Sequence, residues 1–225
     1  MPDDLPKLYL RRQTVLDKLR KELERETAAA LKNLPHIDRV AFRVKGPESF
    51  LKKANDPKNK AFYTDPLTEI EDQIAGRIIT FFLSDIPIVK ARLTDGTFEV
   101  AENWTRAPER DAEFGYETEH LILIIPIQLK PKDWDKHDRM PTTFELQIRT
   151  IFMHAYAEPQ HDIAYKGAAD LPQEARRQLG WIAASSWGAD QAYERVKQID
   201  QKRKRTKSAA PKKAGVIPFR KSGKK

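Results

Sequence analysis

The sequence predicts an α+β domain built on a mixed β-sheet of about five strands flanked by helices. Three observations predict it. Short β-branched and aromatic runs with period-two alternation stand between segments of helical period, loops rich in Pro, Asp and Lys separate them, and 225 residues suit one domain with a tail. A second catalytic domain would not fit.

Val15, Leu19, Leu23, Thr27, Ala30, Leu31 and Leu34 recur at helical spacing among charged residues, which predicts an amphipathic N-terminal helix ending at Pro35. A strand follows from Val40 to Lys45, with Val40, Phe42 and Val44 on one face and Ala41, Arg43 and Lys45 on the other. A short helical segment around Ser49 to Ala54 and a polar loop lead to Asp72. The run from Gly76 to Leu83 is β-branched and aromatic enough for a central strand, and two more strands are readable at Thr118 to Ile127 and Thr142 to Arg149. From Ile151 the period becomes helical, with a kink or restart expected at Pro159. A last helix is expected from about Pro172 to Lys197, and the Lys, Arg, Pro, Ser and Gly beyond it read as a disordered tail.

The chain contains no cysteine, so disulfides and thiolate metal sites are excluded and a reducing cytoplasm suits it. Its N-terminus, Met-Pro-Asp-Asp-Leu-Pro, is acidic and proline-broken where a signal peptide would be basic and then apolar. The longest apolar run, Leu121 to Ile127, is far shorter than the roughly 20 residues that span a bilayer. No membrane partner is expected. The net charge of +8 is local: residues 201–225 hold eleven Lys or Arg and no Asp or Glu, so the first 200 residues sum to −3. The tail makes the protein basic.

In Phe144-Glu-Leu-Gln-Ile-Arg149, period-two geometry sends Phe144, Leu146 and Ile148 to one face and Glu145, Gln147 and Arg149 to the other. The same alternation also fits a sheet with one solvated face, and Asp72, just ahead of a strand, also fits a cap or a turn. Taken with Arg43 and Lys45, these residues suit phosphoryl or pyrophosphoryl transfer. Two carboxylates can hold a hard divalent cation, paired cations can hold phosphate oxygens, and a carboxylate left over can take a proton from an attacking hydroxyl. Glu117-Thr-Glu-His120 and Glu158-Pro-Gln-His161 both fit Glu-x-x-His, but di-iron carboxylate sites project from facing helices. The first motif lies at a strand and the second holds a proline.

Four blocks then occur in a telling order: Arg43-Val-Lys-Gly-Pro-Glu-Ser49, Asp72-Gln-Ile-Ala-Gly-Arg-Ile78, Gly115-Tyr-Glu-Thr-Glu-His120 and Glu145-Leu-Gln-Ile-Arg-Thr150. In this the chain resembles the RelA/SpoT-type alarmone synthetases over roughly residues 37–166, with Thr118 standing where the family usually has Ser. The resemblance implies a nucleotidyltransferase-like synthetase fold and magnesium-dependent transfer of the β,γ-pyrophosphate of ATP to the 3′-hydroxyl of GDP or GTP, releasing AMP. It implies that Asp72 and Glu145 are the catalytic and Mg²⁺-ligating acids, and that Arg43, Lys45, Ser49 and Arg77 bind ATP. Tyr116 would stack on the acceptor base, with His120 on the acceptor's phosphates and Gln147 orienting it. The alternative is the toxic small-synthetase variant, which uses the same chemistry on adenine nucleotides or on tRNA 3′ ends; the basic tail suits tRNA.

The organisation expected is a helical segment over residues 1–36, the synthetase domain over 37–170, a C-terminal helix over 171–200 and the basic tail over 201–225. Leu179, Trp181, Ile182 and Trp187 in the last helix fit either a homo-oligomer interface or intramolecular packing.

Overall fold

The structure, a computed structural model, describes residues 4–57, 63–106, 118–164 and 171–209. Helix α1, Leu5–Leu31, buries Leu5, Tyr9, Arg12, Val15, Leu16, Leu19, Leu23, Thr27 and Leu31, the stripe that its sequence spacing requires. The chain reverses through His36, which takes a positive φ of 65°, and enters strand β1, Ile37–Val44. Helix α2, Pro47–Asn55, begins on a proline whose missing N–H costs nothing in the first turn. The short α3, Pro66–Glu69, is capped by Asp65 accepting from the Leu67 N–H. A 3₁₀ turn, Glu71–Gln73, leads into β2, Ile74–Thr80. Helix α4, Asp85–Thr94, precedes β3, Val100–Arg106, β4, Thr118–Ile124, and β5, Thr143–Thr150. Helices α5, Ile151–Ala164, and α6, Gln173–Ala209, complete the order.

The five strands form one mixed sheet in the order β1-β2-β5-β4-β3, with β2 and β5 parallel and every other pair antiparallel. Strand alternation divides its side chains cleanly. On one face Phe42, Ile74, Ile78, Leu121, Leu123, Phe144, Leu146 and Ile148 join the stripe of α1 and Val89 and Leu93 of α4 in a single core. The other face carries most of the polar side chains, with Ile79 and Ile122 buried among them, and α5 lies along part of it.

Two buried side chains one turn apart on α1 tie the helix to the ends of β1 and β2. The Tyr9 hydroxyl donates to the Lys45 carbonyl at 2.8 Å while its ring stacks on Phe50 at 3.7 Å. The Arg12 guanidinium, 2% exposed, donates to the carbonyls of Leu67 and Asp138 and to Gln73 Oε1. Burial pushes that guanidinium down to about 10 and pushes the Tyr9 phenol up to about 12. Neither group needs to titrate to do its work, which is to hold the backbone on both sides of Asp72.

Several sequence expectations shift. β3 and α4 were not expected as elements. α1 stops at Leu31, and β2 ends at Thr80, where the Phe81 N–H turns to the His36 carbonyl. α5 is one helix with Pro159 inside it, not two. α6 continues past Asp200 to Ala209, so the start of the stretch read as a disordered tail is helical. Its Arg203 and Lys204 both pair with Asp200 at helical spacing, the kind of contact that composition alone does not register. Along α6, Trp181, Ile182, Trp187, Tyr193, Val196 and Ile199 are exposed. No helix among the described residues is long and apolar enough to cross a membrane.

Candidate active site

The polar face is organised in rows across the sheet. One row, following the cross-strand pairs, is Arg43, Ala75, Glu145, Ile122 and Glu102; the next is Ala41, Arg77, Gln147, His120 and Trp104. Successive rows are about 7 Å apart, two residues along each strand. Asp72 sits in the 3₁₀ turn just before β2, at φ −83° and ψ 22°, a bridge conformation that lifts its carboxylate out of the strand register.

Asp72 lies between two ammonium groups. Lys45, just past the end of β1, reaches Oδ2 at 2.6 Å, and Lys53, from the last turn of α2, reaches Oδ1 at 3.0 Å. Burial works to raise this carboxyl, but the two lysines outweigh it and hold it below the usual carboxylate range. Lys53 shows the reciprocal effect, since burial lowers it and Asp72 more than compensates.

Glu145 is held differently. Its Oε1 accepts from His120 Nδ1 at 2.6 Å and from Gln147 Nε2 at 3.0 Å. Burial again opposes the charge, and these hydrogen bonds outweigh it, so this carboxyl too lies below its ordinary range. His120 Nε2 and Gln147 Oε1 are buried and find no hydrogen-bond partner among the described residues. Buried polar atoms seldom go unpaired, so these two mark a surface made to meet something else. The His120 ring stacks on Trp104, with centroids 4.0 Å apart and planes 13° apart.

Beside the carboxylates an open cavity of about 230 Å³ is lined by Arg39, Ala41, Arg43, Ala75, Arg77, Ile79 and Gln147, with His154 and Glu158 of α5 closing one side. The small side chains of Ala41 and Ala75 leave the room, and three arginines supply the charge. Arg77 pairs with Glu158 and lies 3.4 Å from His154 Nδ1. Burial and the surrounding Arg77, Arg39 and Arg149 keep the His154 imidazole below its ordinary value.

Of the residues singled out in the sequence, Arg43, Lys45, Asp72, Arg77, His120, Glu145 and Gln147 converge on this face. Ser49 is exposed on α2, one helical turn before Lys53 and so on the same side of the helix. Tyr116 lies outside the described residues. Sequence reasoning missed Lys53, Trp104 and His154, and weighed Glu158 only in a Glu-x-x-His motif that it set aside. Lys53 was recoverable as the i+4 neighbour of Ser49, and His154 and Glu158 as an i, i+4 pair on the helix after β5, whereas Trp104 carried no signal while β3 went unrecognised.

Among the described residues no group of three or more His, Cys, Asp or Glu stands where it could hold a metal. Magnesium does not require one. It binds through one or two carboxylates together with substrate phosphates and water, and the ionised pair Asp72 and Glu145 fits that donor set.

A family model described as the region found in RelA / SpoT proteins matches residues 42–170, a stretch containing Lys45, Asp72, Arg77, His120 and Glu145. The chain is 34% identical over 151 residues to GTP pyrophosphokinase YjbM of Bacillus subtilis (strain 168). That match covers 64% of each protein, just under two thirds of the relative's length. In three dimensions the chain is similar to the crystal structure of small alarmone synthetase 1 from Bacillus subtilis, at 26% identity and a TM-score of 0.66, covering 87% of this chain and 95% of that one. It is also similar to that synthetase bound to its product pppGpp, at 26% identity and a TM-score of 0.63, covering 83% and 92%.

Proposed function

This chain belongs to the RelA/SpoT family, and from that premise we propose that it transfers the β,γ-pyrophosphate of ATP to the 3′-hydroxyl of GDP or GTP, giving AMP and ppGpp or pppGpp. The observation that carries the reading is the pair of partly buried carboxylates, each kept ionised by its own partners, beside a cavity walled by Arg39, Arg43 and Arg77. Pyrophosphate transfer asks a protein mainly to position two polyanions and to balance charge as it moves. The similarity to a synthetase whose product is pppGpp supports the same acceptor class here.

In this reading Arg43 and Arg77 hold the ATP side of the cavity, while Lys45, Ser49 and Lys53 take its phosphates. Tyr116, His120 and Gln147 receive the acceptor, and the unpartnered His120 Nε2 and Gln147 Oε1 are the atoms it would satisfy. The acceptor's 3′-oxygen attacks the β-phosphorus, the bond from that phosphorus to the α-bridging oxygen breaks, and AMP departs with the electron pair. Glu145, as the ionised carboxylate hydrogen-bonded to His120 and Gln147, takes the hydroxyl proton. Asp72 and Glu145 would hold Mg²⁺, which when bound neutralises phosphate charge. Lys45 and Lys53 then serve as phosphate ligands in place of their contacts with Asp72. The exposed apolar side chains of α6, Trp181 and Ile182 among them, support a homo-oligomer.

The test is incubation of the purified protein with γ-labelled ATP and, separately, GDP, GTP, no acceptor, and deacylated tRNA. Labelled ppGpp or pppGpp with stoichiometric AMP is expected. Label appearing only on tRNA or on an adenine nucleotide would replace the proposed acceptor.

A further inference from the structure

We infer that Trp104 is a positioning residue for the reaction: it fixes the plane of the His120 imidazole so that Nδ1 meets Glu145 and Nε2 faces the acceptor. This rests on the proposed function, in which Glu145 takes the acceptor proton.

The cross-strand register makes Trp104 the direct partner of His120, and His120 the direct partner of Gln147. Among the described residues β3 is the edge of the sheet, and no described strand lies beyond Trp104 in that row. His120 is therefore held between Gln147 on the inner side and the indole on the outer side. A histidine χ2 torsion is broad and roughly two-fold, so a single hydrogen bond leaves the ring free to swing about it. Stacking at 4.0 Å and 13° removes that freedom, and the 2.6 Å bond from Nδ1 to Glu145 then selects one of the two ring orientations. The two contacts are complementary, since one sets the plane and the other sets the flip. Together they leave Nε2, buried and unpartnered among the described residues, at one fixed place.

Packing alone does not explain the indole. Trp104 is 43% exposed and lies outside the core, whereas the imidazole it covers is only 5% exposed. Its removal gives up the covered part of its own surface, more than half of it. What it removes is the outer wall of a site residue, and a displacement of about 1 Å in such a residue can cost on the order of 10²-fold in rate.

The experiment compares the full-length protein with its W104A and W104F variants. Steady-state kinetics with ATP and GDP are read alongside proton NMR of the ligand-free proteins, in which the His120 Nδ1–H signal is assigned by its absence in H120Q. W104A should lose about 10- to 100-fold in kcat with both KM values within about threefold of normal, and W104F should recover most of the loss. The Nδ1–H signal should be present in the native protein and in W104F and be lost by exchange in W104A. A W104A enzyme with native kcat, one that loses only acceptor KM, one that keeps the signal, or a chain that no longer folds would each overturn the assignment. If the native protein makes no alarmone, the proposed function fails, and the NMR comparison still decides the role of Trp104.

Discussion

Asp72 and Glu145 are both partly buried carboxylates that stay charged, but the chain reaches that result by two routes. Asp72 is neutralised by ammonium groups, which phosphates can later claim, and Glu145 is held by neutral-capable donors that remain with it. That difference suits one residue to a shared cation site and the other to proton transfer. Asp72→Asn or Glu145→Gln should each lower turnover by at least about 10² to 10³, the scale seen when a charge-stabilising group is lost. Turnover near normal in either variant, with native circular dichroism, would remove that residue from the mechanism. Because both folded values are depressed, the stability these carboxylates contribute is present in full above the unfolded carboxylate range, about pH 4, and is lost as pH falls through the lower folded values. Urea midpoints should therefore hold steady from neutral pH to about 5 and fall below about 4. In Asp72→Asn the acid decline should be shallower, from a lower starting point, because Lys45 and Lys53 are left facing each other. Much of this site was legible in the sequence. Alternation alone puts Glu145 with Gln147, and Arg43 on the polar side of its strand. The place of Lys53 one turn after Ser49 was legible, but its contact with Asp72 was not, because that depends on how α2 meets the end of β1, a tertiary fact.

Elements were readable where one of their faces is apolar. β5 and β2 announce themselves through Phe144, Leu146, Ile148, Ile74 and Ile78, all buried in the core that the stripe of α1 also joins. β3 does not, because Val-Ala-Glu-Asn-Trp-Thr-Arg has no apolar alternation, and as an edge strand it pairs on one side only. α6 outran its compositional boundary for the converse reason: Lys and Arg are good helix formers, and a docked helix carries its next turns along. That docking is specific. Thr150 donates to Asp190 at 2.6 Å inside the core, Glu194 accepts from the Ser84 N–H, and Lys197 reaches Asp85 at 2.7 Å. Within the sheet, Gly76 is required by close approach. A Cβ there would lie 2.5 Å from the Phe42 ring and 2.6 Å from Leu146 Cδ1. Gly76→Ala should cost about 1 to 3 kcal/mol in urea unfolding, and because Arg77 follows on the same strand, KM for ATP should rise with it. An alanine variant of native stability would mean that the two neighbours can move aside, which the packed core argues against.

At the scale of the whole molecule, charge is separated along the chain, with a net −3 body and eleven cations beyond residue 200. α6 carries the start of that cationic stretch outward. Its last polar tie to the body among the described residues is Lys197 on Ser84 and Asp85, after which Lys202, Arg203, Lys204, Arg205 and Lys207 are all exposed. Truncation after Asp200 therefore removes the basic segment and leaves every described tie between α6 and the sheet in place. A guanine nucleotide presents a few phosphates inside the site, so with GDP or GTP as acceptor the truncated enzyme should keep its rate within about threefold, well under 1 kcal/mol on the barrier. A long polyanion would behave otherwise. Each phosphate neutralised by Lys or Arg releases counterions, so tRNA held by this segment would be bound strongly at low salt and weakly at high salt. Should tRNA be the acceptor, truncation would lower its use by about ten-fold or more and flatten that salt dependence. Measuring both acceptors at low and high salt, before and after truncation, separates the two. The proposed guanine nucleotide acceptor requires salt-tolerant synthesis indifferent to the truncation. Loss of a labelled tRNA product on truncation would instead reassign the acceptor while leaving the chemistry at Asp72 and Glu145 as described.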